Sequence, residues 1–301
     1  MQQTYRPIQY IYVDDGSTDG TAEVVEAYRD RFASEDIDFT FIRQSNTGLC
    51  GALMTGFQYV RGEFLSNPEY DDYLLPCSVE QRVISLKENP DCAVAVADAW
   101  CVKEDDLECR SELLSKHSTD KFNPFHFQHC LVGNTIFNAA CYLVRMDRFD
   151  MTHPGRKIYE YAYGSNQQIL LPLYYHWKRV FIEEPLSVRV LRTTSLSVEP
   201  NMLDYEIKRE SQYRDMLFSV IDGIQMSSTE REKYKQIVDI NVHRDYLNYA
   251  RKYGSRALWK EGYDYLKNHH ALPSVLPPFH PNLFTSKKIL SLIRKLIRRI
   301  Q

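Results

Sequence analysis

Ile8-Gln9-Tyr10-Ile11-Tyr12-Val13-Asp14-Asp15-Gly16-Ser17-Thr18-Asp19-Gly20-Thr21 is the stretch on which the fold turns. An apolar run rich in β-branched and aromatic residues ends at two adjacent carboxylates. A Gly-Ser-Thr-Asp-Gly turn follows, and Ala22-Glu23-Val24-Val25-Glu26-Ala27-Tyr28 resumes at helical period. Strand, tight loop and helix in that order belong to a parallel α/β sheet, in which ligands gather outside the carboxyl ends of the strands. A loop there with acceptor oxygens and flexible glycines can reach a base and a ribose. One of Asp15, Ser17 and Asp19 would suffice to cap the helix, and three carboxylates with two hydroxyls exceed that need.

Downstream, Asp38-Phe39-Thr40-Phe41-Ile42-Arg43 alternates as a strand, Gln44 to Gly48 is a turn, and Ala52, Leu53, Phe57 and Val60 mark a helix. Gly62 to Ser66 reads as another strand, interrupted by Asn67-Pro68 before Glu69-Tyr70-Asp71-Asp72. Glu69 and Asp71, at alternate positions on a strand end, aim two carboxylates at one point. That suits a hard divalent cation which also binds a diphosphate, and alone it suits an exposed acidic turn equally. Pro76 through Asn89 is an amphipathic helix. Cys92-Ala93-Val94-Ala95-Val96-Ala97 is continuous and apolar, as a strand buried on both faces requires. Asp98 and Trp100 follow it as candidates for an acceptor pocket. Val180 to Val190 reads as a final strand pair, with Arg192 in the loop beyond it.

The segment Val13 to Thr21 resembles the nucleotide-binding signature of family 2 glycosyltransferases of the GT-A fold. The resemblance runs on through Asn46-Thr47-Gly48-Leu49, Arg61-Gly62-Glu63-Phe64 and Glu69-Tyr70-Asp71-Asp72, and more faintly to Glu184-Pro185-Leu186. It implies an α/β fold of GT-A type, with a mostly parallel, Rossmann-like sheet flanked by helices, over residues 1–198. The implied activity moves a sugar, with inversion, from a nucleotide diphosphate donor to a cell-surface or lipid-linked glycan. The implied donor is a UDP-sugar first, held with Mg²⁺ or Mn²⁺. On the matching positions Asp14, Asp15, Ser17, Asp19, Asn46 and Gly48 bind the nucleotide, and Asp71 and Glu69 hold the metal.

The chain departs from the family pattern in four respects. Glu69 stands where aspartate is usual. Leu53 and Met54 stand where a basic residue and an asparagine are usual. Gln3 to Pro7 resembles the segment after the first strand and helix, so that a complete member would carry roughly 30 more residues upstream. Asn166, in Gly164-Ser165-Asn166-Gln167-Gln168-Ile169-Leu170-Leu171-Pro172, stands where the resemblance places the base, and an amide cannot take up that proton. Glu160 and Asp98 are the candidates to substitute for it. The rival to an enzyme is a non-catalytic relic that binds nucleotide or a partner.

The formal charge of −3 gives no reason to expect nucleic acid as a partner. Seven cysteines without zinc-type spacing, behind no signal-peptide pattern, read as free thiols of a cytoplasmic protein. From about residue 199 to 268 the sequence turns to long helical periodicity, and residues 269–285 form a Pro-containing linker. Residues 286–301 place Ile289, Leu292, Ile293, Leu296, Ile297 and Ile300 on one helical face and six basic residues on the other. That pattern suits a helix lying on an anionic membrane, or one docked on protein.

Overall fold

The structure, a computed structural model, describes residues 1–110, 112–118, 120–136, 138–159, 164–192 and 202–273. It divides into two units, Met1–Val198 with Met216–Ser227, and Glu199–Asp215 with Ser228–Gln301.

In the first unit, β1 (Ile8–Asp14) pairs in parallel with β2 (Ile37–Arg43), Ile8 opposite Ile37 and Asp14 opposite Arg43. Tyr10 therefore stacks on Phe39 at 5.9 Å, and Phe32 covers both rings. The helical stretch after the Gly16–Gly20 loop forms α1 (Thr21–Glu26) and α2 (Arg29–Ser34) rather than one helix. The break falls where the Tyr28 N–H turns back to Val25 O, a three-residue closure. Next is α3 (Gly48–Tyr59), whose Gly56 packs against Val13.

A separate six-stranded sheet holds the main core. Its order is β3 (Phe64–Leu65), β7 (Tyr142–Arg145), β5 (Cys92–Lys103), β8 (Lys178–Leu191) and β4 (Tyr73–Leu74), with β6 (Glu112–Leu113) added on β5. β5 and β8 are parallel, and the pairs β3–β7, β5–β7, β4–β8 and β5–β6 are antiparallel. The sheet is therefore mixed: its long pairing, β5 with β8, is parallel, and the short additions are antiparallel. The sequence hides this because the antiparallel additions β3, β4 and β6 are two residues long and leave no readable alternation.

The last strand pair expected around Val180–Val190 is one strand. Pro185 has no N–H for the ladder, and the register with β5 slips where Pro185 faces Asp98, so the chain passes it as a bulge. Ala93 through Ala97 are at most 1% exposed. Val83 and Leu86 of α4 (Ser78–Glu88) close over Cys92, Ala95 and Leu143. Each such side chain contributes about 1.5–3 kcal/mol of burial. α5 (Phe127–Leu131), α6 (Met146–Thr152) and the deeply buried α7 (Ser165–His176) complete this unit.

In the second unit, α8 (Leu203–Gly223) as far as Asp215 packs with α9 (Ser228–Tyr253) and α10 (Arg256–Asn268). Gly262 is required here, since a Cβ on it would come within 2.8 Å of the His243 carbonyl. Glu206 accepts from Lys252 Nζ (2.9 Å) and Tyr253 OH (3.1 Å), and Glu210 accepts from Tyr249 OH (3.2 Å). Burial first, then the Asp245 charge, pushes the Glu210 carboxyl up to about 7, while the Tyr249 bond and Arg209 pull it down and Glu206 raises it further.

Between the ordinary value of 4.5 and about 7, the folded chain keeps a proton on Glu210 that the unfolded chain has released. The contribution of Glu210 to stability therefore falls as pH rises through that window and is level above it. Thermal melts of the full chain from pH 5 to 8 are expected to show this slope, and Glu210→Gln to flatten it. An unchanged slope in the variant refutes the assignment.

Candidate active site

The β1–α1 loop is built on its own carboxylates. The Ser17 N–H donates to Asp14 Oδ1 (2.8 Å), and Arg43 Nε lies 3.3 Å from Asp14 Oδ2. Hydrogen bonding from Ser17, side chain then backbone, prevails over burial and with Arg43 holds the Asp14 carboxyl below its usual value. Asp14 is 2% exposed, so it shapes the loop from beneath. Asp15 Oδ1 accepts from Gln44 Nε2 (2.7 Å), Thr47 N (2.9 Å) and Thr47 Oγ1 (3.1 Å). Burial pushes its carboxyl up, but these bonds together keep it low.

Asp15 thereby ties the β1–α1 loop to the β2–α3 loop, where Asn46 Oδ1 accepts from Gly48 N. Gly16 has φ +83°, and a Cβ on it would stand 2.9 Å from Asn46 N, so only glycine lets the two loops meet. Asp19 is fully exposed and bonds Thr21 N (3.0 Å) and Thr21 Oγ1 (2.6 Å), closing the start of α1. All three acids are therefore engaged in loop or helix-start bonds, and those of Asp15 and Asp19 run through Oδ1. Leu53 and Met54 lie half-buried in α3, which adds no basic side chain there.

The second group forms between β3 and β4. Glu69, Asp71 and Asp72 bring one carboxylate oxygen each within 4.8 Å of one another. Asp72, not singled out from the sequence, is the anchored member. Its Oδ1 accepts from Val190 N of β8 (3.0 Å) and its Oδ2 from Asn138 Nδ2. Asp71 is half-buried and has Arg192 Nε 4.0 Å away, a guanidinium shared with Glu104 at 3.6 Å and lying over the Tyr70 ring. Desolvation first, then the Asp72 and Asp71 charges, raises the Glu69 carboxyl, and Arg189 draws it back. Three hard oxygen donors crowded to mutual repulsion, one of them fixed by the backbone, fit a divalent cation.

Beside this cluster opens a cavity of about 470 Å³, lined among others by Glu69, Asn134, Thr135, Asn138, Asn166 and Arg189. That volume lies in the range of roughly 300–1,000 Å³ typical of small-ligand sites. Asn166, in the first turn of α7, accepts at Oδ1 from the OH of Tyr142, a side chain 1% exposed (2.7 Å). Its Nδ2 makes no hydrogen bond among the described residues. Asn134 and Asn138 lie in the stretch Asn134 to Arg145, which resembles the acceptor-side strand region of the family, whereas Arg189 carries no motif and reaches the cavity only through β8.

Asp98 requires a correction. It is 0% exposed and does not line the cavity. Oδ1 accepts from Ala99 N (2.9 Å) and Ser115 N (3.0 Å), and Oδ2 from Ser115 Oγ. Its position beside the Pro185 bulge sets it to hold the 115 turn, with both carboxylate oxygens bonded there. Trp100, half-buried in β5, is likewise absent from the cavity wall. Glu160 lies outside the described residues, as does the basic segment 286–301. Among the described residues no helix is long and apolar enough to cross a membrane.

Residues 1–150 match the family described as Glycosyl transferase family 2. EpsH of Bacillus subtilis, a glycosyltransferase by its name, is 33% identical over 92 residues, which span 31% of this chain and 26% of EpsH. Among solved structures, TarS 1-349 of S. aureus in complex with UDP-GlcNAc superposes with a TM-score of 0.60 at 14% identity, covering 90% of this chain and 75% of that one. The mannosyltransferase PcManGT of Pyrobaculum calidifontis, in complex with GDP-Man and Mn²⁺, gives a TM-score of 0.53 at 13% identity over 98% of this chain and 73% of that one. At these identities the structural likeness establishes the fold, α/β of GT-A type with C-terminal helices.

Proposed function

From the premise that residues 1–150 are a glycosyl transferase family 2 domain, we propose that the chain moves a sugar from a nucleotide diphosphate sugar to a hydroxyl of a polysaccharide or lipid-linked glycan, with inversion and with Mg²⁺ or Mn²⁺. The observation that carries this reading is the Glu69, Asp71 and Asp72 cluster at the rim of the cavity. TarS with its UDP-GlcNAc and PcManGT with its GDP-Man and Mn²⁺ support the donor class, of which a UDP-sugar is the first expectation.

The roles divide as follows. The loops of Asp15, Ser17 and Asp19, and of Asn46 and Gly48, receive the base and ribose. Asp15 Oδ2 accepts from a ribose hydroxyl or a base N–H. Asp71 and Glu69 hold the cation, with Asp72 keeping their loop in place. When bound, the ion neutralises the charge that develops on the departing diphosphate. Asn166 donates its Nδ2 N–H to a ligand oxygen and takes no proton. The carboxylate that accepts the proton of the acceptor hydroxyl is not among the described residues lining the cavity, apart from Glu69 at the metal cluster, and Glu160 remains the candidate from the sequence. Residues 286–301 are assigned to an anionic membrane surface, where a lipid-linked acceptor resides.

Calorimetric titration with UDP tests the binding half of the proposal. UDP is expected to bind at least about tenfold more tightly with Mn²⁺ than with EDTA, because a cation held by these carboxylates would offset their repulsion of the diphosphate. Equal affinity in the two conditions refutes the metal assignment and leaves a nucleotide-binding relic.

A further inference from the structure

The wall of the 470 Å³ cavity is unevenly charged in a way that the donor and the metal do not explain. Arg189 is half-buried on β8, and among the described residues no hydrogen bond or ion pair engages its guanidinium. Among the described residues the neighbouring arginines have charged or carbonyl partners: Arg43 lies against Asp14, Arg192 between Asp71 at 4.0 Å and Glu104 at 3.6 Å with its Nε not hydrogen-bonded, and the buried Arg179 donates to the Lys121 carbonyl. Asn166 lines the cavity as well, and with its Oδ1 held by Tyr142 its Nδ2 makes no hydrogen bond among the described residues. Asn138 is closed on both sides, donating to Asp72 and accepting from Ala140 N (3.0 Å). Thr135 Oγ1 is buried and unpartnered. Among the described lining residues the one carboxylate is Glu69, which the cation claims.

The one carboxylate that Arg189 feels in this wall is Glu69, which the cation would claim, and the planar fork of the guanidinium then matches carboxylate or phosphate oxygens of a ligand. We infer that the cavity receives a sugar bearing an anionic substituent, a carboxylate or a phosphate, and that Arg189 is the residue that selects it, assisted by Asn166 Nδ2. The inference rests on the reading of this cavity as the sugar end of a transferase site. It narrows that reading from any glycan to an acidic or phosphorylated one. The amides and the Thr135 hydroxyl then meet neutral sugar hydroxyls, and Arg189 meets the charge.

The experiment uses three probes on the full chain, glucose, glucuronate and glucose 6-phosphate, titrated by saturation-transfer NMR in the presence of UDP and Mn²⁺. At least one anionic probe is expected to bind about tenfold or more tightly than glucose, as a charge-assisted hydrogen bond supplies. Whichever anionic probe gains identifies the substituent. Arg189→Gln is expected to erase the difference at an unchanged melting temperature, and Arg189→Lys to restore part of it. Three sugars binding alike overturn the inference. So does Arg189→Gln weakening UDP with Mn²⁺ by the same factor, which would give Arg189 to the donor diphosphate. UDP binding without metal dependence, alongside preserved discrimination between the sugars, defeats the metal proposal and leaves this one standing.

Discussion

Asp71→Asn is expected to lower Mn²⁺-dependent sugar transfer by about 10²- to 10³-fold while leaving the fold intact. A cation on a departing diphosphate supplies several kcal/mol of charge stabilisation, and each ~1.4 kcal/mol is a factor of ten. Asp71 is the member of the cluster on which that effect can be read cleanly. Asp72 is bonded to Val190 N and Asn138, so its replacement loosens β4 and β8 together with the metal. Asp71 has only Arg192 at 4.0 Å, and that guanidinium also has Glu104. A half-buried pair at 4.0 Å, with its guanidinium also beside Glu104, contributes little, so the melting temperature is expected to move little. Electron paramagnetic resonance of Mn²⁺ with UDP gives a readout independent of turnover, and the bound fraction is expected to drop in the variant. Full turnover and full Mn²⁺ binding in Asp71→Asn would refute the assignment of this cluster.

The part of the site legible in the sequence is the part made by near neighbours. The run from Val13 to Thr21 announced strand, loop and helix because the end of a parallel strand, the glycines and the helix start must all fall within a few residues. The structure keeps that order. It also spends Asp14 and Asp19 on the loop itself, which residue type alone does not disclose. The acidic run at Glu69 to Asp72 was visible for the same local reason, but which acid is anchored was not. The partners of Asp72 lie 66 and 118 residues away, and only the pairing of β8 with β4 and β5 brings them to it.

Arg189 has the same cause of silence, an arginine in a strand that looks like any solvent-facing residue until the neighbouring strand and the turn after α5 wall it in. The second unit shows the opposite case. Its helices were plain from their period, because burial along one stripe repeats locally over 13 to 26 residues. The match of Gly262 to the His243 carbonyl, which sets how α9 and α10 meet, carries no such repeat.

Asp98 is where the two ways of reading part most sharply, and a pair of substitutions separates them. A carboxylate serving as the base loses its function on becoming an amide and need not affect stability. The observed Asp98 makes the reverse prediction. In Asp98→Asn the amide oxygen still accepts from Ala99 N and Ser115 N, and the amide nitrogen can donate to Ser115 Oγ, so turnover is expected to persist and stability to fall by about 1 kcal/mol or less. In Asp98→Ala two backbone N–H groups and a hydroxyl lose their acceptor inside the protein. At about 1–2 kcal/mol for each of the three orphaned groups the loss is roughly 3–6 kcal/mol.

Losses of that size are rare among single substitutions. For a domain near 200 residues, each kcal/mol moves the melting temperature by about 2–4 °C, so a fall of roughly 10 °C is expected for the alanine variant. The loss should also release the 115 turn, which carries Leu114 and Ser118 of the cavity wall, and activity would fall with it as a secondary effect of the fold. The amide variant therefore decides the matter. If Asp98→Asn melts normally and transfers no sugar, Asp98 takes the proton after all, and the buried arrangement is not the one that turns over.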